Sequence, residues 1–150
     1  MSLDDDIAFF EQVPTFAALG KQALRVLAIG AETRSLQKGA VLYYAGELAD
    51  AGYLVQEGSL QLEPGTLAEG KEIVAGRGTL VGELALFTDT VCQGTAIAKE
   101  PTVVIRISRS LFRKMLEGYP AAAEQLRDAM AGRVERWTRD LGGVKQKLEK

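Results

Sequence analysis

The stretch that decides the fold is Gly82-Glu83-Leu84-Ala85-Leu86-Phe87-Thr88-Asp89-Thr90-Val91-Cys92-Gln93-Gly94-Thr95. It opens on a glycine, continues through residues that tolerate a helix, and returns through a polar loop to a segment with strand character. A glycine turn that opens a short helix directs unpaired backbone N–H groups at one point, which favours an anion. The Glu83 carboxylate cannot neutralise a phosphate, but it can accept hydrogen bonds from sugar hydroxyls. The stretch therefore predicts a pocket for a sugar phosphate.

Length and composition indicate one globular domain over residues 1–150. The chain is long enough to bury a core, and 47% hydrophobic with 25% charged residues is ordinary for a globular protein. Eighteen basic against 20 acidic residues leave a net charge of −2, so no overall charge attracts nucleic acid. No apolar run is long enough to span a membrane and no signal peptide is visible. We therefore expect a soluble, cytoplasmic protein without membrane contact.

An enzyme is not expected from this composition. The chain has one cysteine and no histidine, which excludes an internal disulfide and disfavours a zinc site. The absence of histidine also removes the commonest general base and every Ser-His or Cys-His pair. We predict no catalytic residue, no metal site and no cofactor.

Residues 34–108 have the pattern of a β-rich domain. Short runs rich in Val, Leu, Ile and Tyr are separated by glycines, which is typical of an antiparallel sandwich or barrel. The clearest strand runs from Thr102 to Ser108, with Val103, Ile105 and Ile107 on one face and Arg106 on the other. Residues 53–62, which turn at a Glu-Gly pair, predict a hairpin.

Helices are predicted on both sides of this region. Residues 4–30 have helical spacing that Pro14 interrupts, and helical spacing returns over residues 110–141. Apolar residues in the last helix are spaced 4, 3, 4, 3 and 4 apart, at Met130, Val134, Trp137, Leu141, Val144 and Leu148. Such a heptad seam is typical of a helix that pairs with another, so we expect a homodimer through the C-terminal helix.

Four glycine motifs, in order, resemble those of a known family. They are Lys38-Gly39-Ala40-Val41-Leu42, Ala45-Gly46-Glu47, the segment from Ala51 to Gly58, and Val81-Gly82-Glu83-Leu84-Ala85-Leu86. Over about residues 9–140 the chain resembles the cyclic nucleotide-binding domain of catabolite activators, kinase regulatory subunits and cyclic-nucleotide-gated channels. The resemblance implies a mainly β fold: an eight-stranded antiparallel jelly roll, or double-stranded β-helix, with N-terminal helices and a long C-terminal helix.

The resemblance also implies a ligand site for cyclic AMP or cyclic GMP in the stretch quoted above. The backbone at Gly82 and the carboxylate of Glu83 would meet the ribose 2′-hydroxyl. The N–H groups of Leu84 and Ala85 would face the ribose or the phosphate. Because Glu83 lies beside a glycine in an apolar run, it needs a polar partner if it is buried. The other interpretation is that Glu83 caps the short helix or pairs with a local arginine.

The second half of the stretch departs from the family pattern. The family has an arginine nine positions after the glutamate, preceded by proline, and this arginine pairs with the cyclic phosphate. Here the arginine position holds Cys92 and the proline position holds Val91. Gln93 and Thr95 can donate hydrogen bonds but supply no charge. The loss of a bidentate charged contact predicts an affinity for cyclic AMP or GMP that is lower by about one to several orders of magnitude.

Three further residues have two interpretations each. Cys92 is either a small buried filler or a thiol that contacts the ligand. Trp137, and Thr138 beside it, belong either to the helix seam or to a lid over a bound base. Arg77, upstream of the quoted stretch, is a candidate to replace the missing cation.

The leading hypothesis is a regulatory sensor domain. A nucleotide-like ligand at residues 82–95 would reposition the helices over residues 110–141, which would signal to a partner or a second copy. One alternative is a ligand-free interaction or dimerisation module with a degenerate pocket. Another is the sensor fragment of a longer transcription regulator. Only nine residues follow Leu141, so within these 150 residues we expect neither a helix-turn-helix nor DNA binding.

Overall fold

The N-terminal part of the chain is helical. The computed structural model describes residues 2–64 and 73–131, and its first elements are the helices α1 Leu3–Glu11 and α2 Lys21–Gly30. In the first turn of α1, the Ser2 hydroxyl accepts a hydrogen bond from the Asp5 N–H, and the Asp5 carboxylate accepts one from the Ser2 N–H. This reciprocal cap, with three aspartates at the positive end of the helix dipole, explains why the helix begins there.

Ten strands follow within the described residues. They are β1 Glu32–Leu36, β2 Val41–Tyr43, β3 Leu48–Ala49, β4 Ala51–Glu57, β5 Leu60–Pro64, β6 Ile73–Ala75, β7 Leu80–Val81, β8 Thr90–Val91, β9 Gly94–Ala98 and β10 Thr102–Ser108. A 3₁₀ helix, Glu83–Leu86, lies between β7 and β8.

Two antiparallel sheets form a jelly roll. One has the strand order β1-β10-β4-β7 and the other β2-β9-β5-β6. These two sheets hold the eight strands that the resemblance implies, and the short β3–β8 pair adds two more. The predicted mainly β, antiparallel fold with flanking helices is confirmed.

The predicted hairpin over residues 53–62 is wrong in one respect. The chain does reverse at Gly58, which has a φ of +80°, but β4 and β5 belong to different sheets. A β-carbon at Gly58 would lie 2.4 Å from the Pro101 carbonyl oxygen. A local turn signal shows that the chain changes direction, whereas the pairing of the two strands depends on the other strands nearby.

Strand β10 divides the core into two clusters. Ile105 and Ile107 pack with the helices in the larger cluster, and Val104 packs with Val55 inside the roll in the smaller one. Val103 was predicted to share a face with Ile105 and Ile107, but a β-bulge between Val103 and Val104 breaks the alternation. Val104 is the fully buried residue of that pair.

The larger cluster holds the helices against the roll. Phe10, Phe16 and Phe112 are almost fully buried in it, and the ring centroids of Phe16 and Phe112 lie 6.2 Å apart. Truncation of a buried phenylalanine to alanine typically costs about 3–5 kcal/mol. The N-terminal helices are therefore part of the folded domain and not an appendage.

Helical structure returns after the last strand. Helix α3, Arg109–Gly118, begins where the Ser108 hydroxyl accepts a hydrogen bond from the Leu111 N–H. Tyr119 interrupts it, and residues 120–131 are again helical, as the Gly-Tyr-Pro sequence predicts. The heptad positions after Met130, together with Trp137 and Thr138, lie outside the described residues. Within the described residues, no helix has the length and apolar content needed to cross a membrane.

Candidate ligand pocket

A pocket of about 940 Å³ lies against the segment that opens the quoted stretch. Its described walls come from strands of both large sheets, the β3–β8 pair and the 3₁₀ helix. Of the predicted site residues, the pocket brings together Gly82, Leu84, Ala85, Cys92 and Gln93. This volume lies within the usual range for small-molecule sites.

The first half of the site forms a tight turn. Gly82 has a φ of 73°, a left-handed conformation that L side chains rarely adopt, and the 3₁₀ helix follows directly. The N–H of Ala85 donates a hydrogen bond to the Gly82 carbonyl oxygen at 3.1 Å. One of the two donors expected to face a ligand is therefore used within the turn. The exposed side chain of Leu84 lines the pocket.

The Glu83 carboxylate contacts the N-terminal segment. Its Oε1 accepts a hydrogen bond of 2.6 Å from the hydroxyl of Thr15, which is buried between α1 and α2. Glu83 does not belong to the described wall of the pocket, so its predicted contact with a ribose stays a prediction. The sequence indicated that this carboxylate needs a polar partner, but nothing in the sequence identified Thr15.

The cysteine at the arginine position lies in the pocket wall and is partly buried. Its backbone is held on both sides, because its N–H donates to the Glu47 carbonyl and its carbonyl accepts from the Gly46 N–H, both at 2.8 Å. Burial raises the pKa of the Cys92 thiol, and the charges of Glu47 and Asp50 raise it further. The thiol is therefore uncharged near neutral pH and cannot replace a cation.

The two polar residues after Cys92 have different surroundings. Gln93 is exposed and lines the pocket. The Thr95 hydroxyl oxygen accepts a hydrogen bond from the Ala45 N–H at 3.0 Å, which ties the Ala45-Gly46-Glu47 motif to the end of the quoted stretch. Thr95 does not belong to the described wall of the pocket.

The pocket is also lined by two arginines, Arg34 and Arg106, which were not among the predicted site residues. Arg106 pairs with Asp50 at 3.2 Å and with Glu32 at 3.9 Å, and Arg34 pairs with Glu32 at 3.6 Å. Burial lowers the pKa of Arg106, but the hydrogen bond with Tyr53 and the charges of Asp50 and Glu32 outweigh burial and raise it. Arg106 is therefore a permanent cation.

The alternation along β10 was the signal that could have found Arg106. This residue was predicted to lie opposite Ile105 and Ile107, which face the helices, and the opposite side is the interior of the roll. The candidate Arg77 was the wrong choice. Its guanidinium lies 4.7 Å from the centroid of the Phe9 ring, a cation–π contact away from the described pocket wall.

An aromatic pair forms part of the wall. The ring centroids of Tyr43 and Tyr53 lie 5.9 Å apart, and both residues line the pocket. Burial, followed by the charges of Cys92 and Tyr53, raises the pKa of Tyr43 to about 12. Both the ring and the neutral hydroxyl of Tyr43 are thus available to a ligand at neutral pH. Within residues 2–64 and 73–131, no cluster of His, Cys, Asp and Glu could hold a metal ion.

The fold and the glycine-lined pocket define a family. A family profile described as the cyclic nucleotide-binding domain matches residues 33–119, more than half of the chain. The chain therefore belongs to the family of cyclic nucleotide-binding domains. The resemblance identified from the four glycine motifs is confirmed.

Individual relatives share the fold over most of the chain. The structure of a cyclic nucleotide-binding-like protein from Brucella abortus is 40% identical, covers 76% of this chain and 99% of its own, and has a TM-score of 0.67. The N-terminal domain of a transcriptional regulator from Streptomyces coelicolor is 26% identical, with coverage of 89% and 94% and a TM-score of 0.81.

A curated relative extends the comparison to kinase regulation. The cAMP-dependent protein kinase regulatory subunit of Yarrowia lipolytica is 30% identical over 112 residues, which are 72% of this chain and 28% of that protein. The chain spans less than a third of the length of the curated relatives that it matches.

Proposed function

We propose that residues 1–150 form a regulatory sensor domain of the cytoplasm that acts without catalysis. It binds a small ligand with a nucleoside-like part in the pocket beside Gly82, and its affinity for cyclic AMP and cyclic GMP is low. The observation that carries this proposal is the 940 Å³ pocket, which the family's glycine turn borders on one side and Cys92 on the other. In this structure the Glu83 carboxylate accepts a hydrogen bond from Thr15 and the Thr95 hydroxyl accepts one from Ala45, so contact of either residue with a ligand stays a prediction.

The low affinity for cyclic nucleotides follows from the residue at position 92. A charge-assisted hydrogen bond contributes about 1.5–3 kcal/mol, and a bidentate arginine makes two of them. A neutral thiol supplies neither. The affinity for the cyclic phosphate is therefore expected to be lower by about one to several orders of magnitude than in a domain with the arginine.

A path for the signal leads from the pocket to helix α3. The ring of Phe87, just after the 3₁₀ helix, forms a T-shaped pair with the Phe112 ring at a centroid distance of 5.4 Å. Asp89 forms a 3.0 Å ion pair with Arg109 at the first position of α3. A ligand that moves the 3₁₀ helix would thus shift α3, provided that it binds the two arrangements with different affinity.

Isothermal titration calorimetry with cyclic AMP and cyclic GMP tests the proposal. We expect weak but measurable binding that Leu84→Asp reduces at least about tenfold, because the new carboxylate faces an anionic ligand. Ile29→Asp is the matched control, since Ile29 is similarly exposed but lies on α2, away from the pocket wall. If neither nucleotide produces heat at millimolar concentration, the cyclic-nucleotide version of the proposal is wrong.

A second candidate function is a ligand-free interaction module. It is favoured by the internal contacts of the site, because Glu83 engages Thr15 and the Ala85 N–H engages Gly82. In this version the C-terminal helix pairs with a second copy. Sedimentation velocity at increasing protein concentration distinguishes it: a chain that stays monomeric at high concentration contradicts a dimerisation module.

A third version makes the chain the sensor part of a longer transcription regulator. The Streptomyces coelicolor relative is described as the N-terminal domain of such a regulator. In this version, DNA is contacted by a segment other than these 150 residues.

A further inference from the structure

The charges around the pocket do not suit an anion. Of the described residues that line it, Glu47, Asp50 and Glu63 carry carboxylates, and Arg34 and Arg106 carry guanidinium groups. Among these described residues, negative groups outnumber positive ones, and Glu47, Asp50 and Glu63 are exposed, so salt screens part of their field. Along this described part of the wall, an anionic ligand would meet more negative than positive charge.

Both arginines already form ion pairs with acidic side chains. Arg106 is engaged by Asp50 and Glu32, and Arg34 is engaged by Glu32. A phosphate that recruits Arg106 would draw it away from Asp50, whose side chain is 69% exposed, and from Glu32. The exchange replaces ion pairs whose acidic partners are mostly exposed, so the loss of those pairs offsets part of the gain from the phosphate.

The position at which the family holds the phosphate is itself acidic. The backbone of Cys92 is bonded to the turn that carries Glu47, and Asp50 lines the same wall. The rise in the pKa of the thiol, to which burial contributes most and both carboxylates contribute, has the sign expected of a negative local potential. Position 92 therefore lacks the positive charge of the family's arginine and also has acidic side chains close to it.

The rest of the wall is apolar or aromatic. Leu48 is 88% exposed and Leu84 is 56% exposed, and both line the pocket together with Ile73 and Val91. Tyr43 and Tyr53 add two aromatic rings. Large apolar side chains left in contact with water around one cavity are typical of a site that an apolar or aromatic molecule fills.

We infer that the pocket selects a heteroaromatic ligand that carries no phosphate and no net negative charge. Rings of the ligand contact the tyrosines and the exposed aliphatic side chains, and Glu47 and Asp50 exclude anions from the cavity. This inference rests on the proposed sensor function and specifies the chemistry of its ligand.

A matched pair of probes tests the inference: adenosine, which is neutral, and cyclic AMP, which adds the cyclic phosphate. Calorimetry on the full chain should show that adenosine binds at least as tightly as cyclic AMP. Higher salt should leave adenosine unchanged and strengthen cyclic AMP, because screening weakens repulsion from the carboxylates. Stronger binding of cyclic AMP than of adenosine, weakened by salt, would overturn the inference and leave the sensor function intact.

Variants assign the effect to particular residues. Cys92→Arg should raise the affinity for cyclic AMP, relative to the affinity for adenosine, at least about tenfold. Glu47→Gln should also raise the affinity for cyclic AMP relative to the affinity for adenosine, whereas Glu57→Gln should leave this ratio unchanged. Glu57→Gln is the matched control because it removes the same charge from an exposed site outside the described wall.

The outcomes separate the two levels of the proposal. Equal changes from Glu47→Gln and Glu57→Gln would overturn the role of the pocket carboxylates. If neither probe binds the natural chain or Cys92→Arg at millimolar concentration, the sensor function itself fails, and the inference fails with it.

Discussion

The hydrogen bond between Thr15 and Glu83 leads to a sharp prediction about stability. It joins residues 68 positions apart and ties the segment between α1 and α2 to the 3₁₀ helix at the pocket. Thr15→Val keeps the shape of the side chain and removes its donor. Thr15 is only 4% exposed, so water cannot easily take the place of the lost donor.

The expected cost follows from two opposing terms. A hydrogen bond to a carboxylate contributes about 1.5–3 kcal/mol. The added methyl group of valine gains about 0.8 kcal/mol by burial. The net loss in the free energy of unfolding should be about 1–2 kcal/mol, which lowers the melting temperature of a domain of this size by about 2–8 °C.

Urea denaturation of a double-mutant cycle checks the cause. In a Glu83→Ala background, Thr15→Val should be neutral or slightly stabilising, because the carboxylate is gone and only the gain from the methyl group remains. An equal loss of stability in both backgrounds would show that the hydrogen bond is not the reason and would refute the argument.

Three more predictions concern the roll and its surface. Gly58→Ala should lower the free energy of unfolding, measured by urea denaturation, by about 2–4 kcal/mol. The residue has a positive φ, and a β-carbon there would lie 2.4 Å from a carbonyl oxygen. Gly76→Ala is the control and should be nearly neutral, because the space around Gly76 is open. Tyr43 should titrate in ultraviolet absorbance with a pKa of about 12. Because the folded chain keeps this proton longer than the unfolded chain, stability should fall between pH 10 and about 12, and Tyr43→Phe should reduce that fall. Asp89→Asn should cost about 1 kcal/mol or less, because Asp89 is 96% exposed and asparagine keeps an oxygen beside Arg109, whose side chain is 15% exposed.

Each of these three has a contradicting result. A Gly58→Ala chain as stable as the Gly76→Ala chain would remove the steric argument. A fall in stability above pH 10 that is equally steep without the Tyr43 hydroxyl would assign it to other groups. A loss well above 1 kcal/mol for Asp89→Asn would mean that the ion pair with Arg109 is far less screened than its exposure indicates.

The features predictable from sequence are those that depend on neighbours along the chain. Gly82 was identified as a turn, and it adopts a left-handed conformation that disfavours other residues. Ile105 and Ile107 were assigned to one face from their spacing alone, and they pack against the helices. Such patterns report the local period of the backbone, which the tertiary structure seldom reverses.

The features that were missed depend on which distant segments meet. The sequence shows that Glu83 needs a polar partner, but the choice of Thr15 depends on how the N-terminal helices pack. Arg106 was placed on the correct side of its strand, yet its position in the pocket depends on Glu32 in β1 and on Asp50 between β3 and β4. The predicted hairpin failed for the same reason, because β4 and β5 find partners in different sheets.

The backbone at Cys92 has a consequence for how this domain can change over time. Both of its peptide groups are bonded to the turn at Gly46 and Glu47, so the strand position is secured whatever side chain it carries. The side chain itself is partly exposed to the pocket and fills no core. The side chain at position 92 can therefore change while the backbone keeps its place. A change of one codon can alter which molecules are recognised, at little cost to folding. Selectivity in such a domain can evolve faster than its architecture.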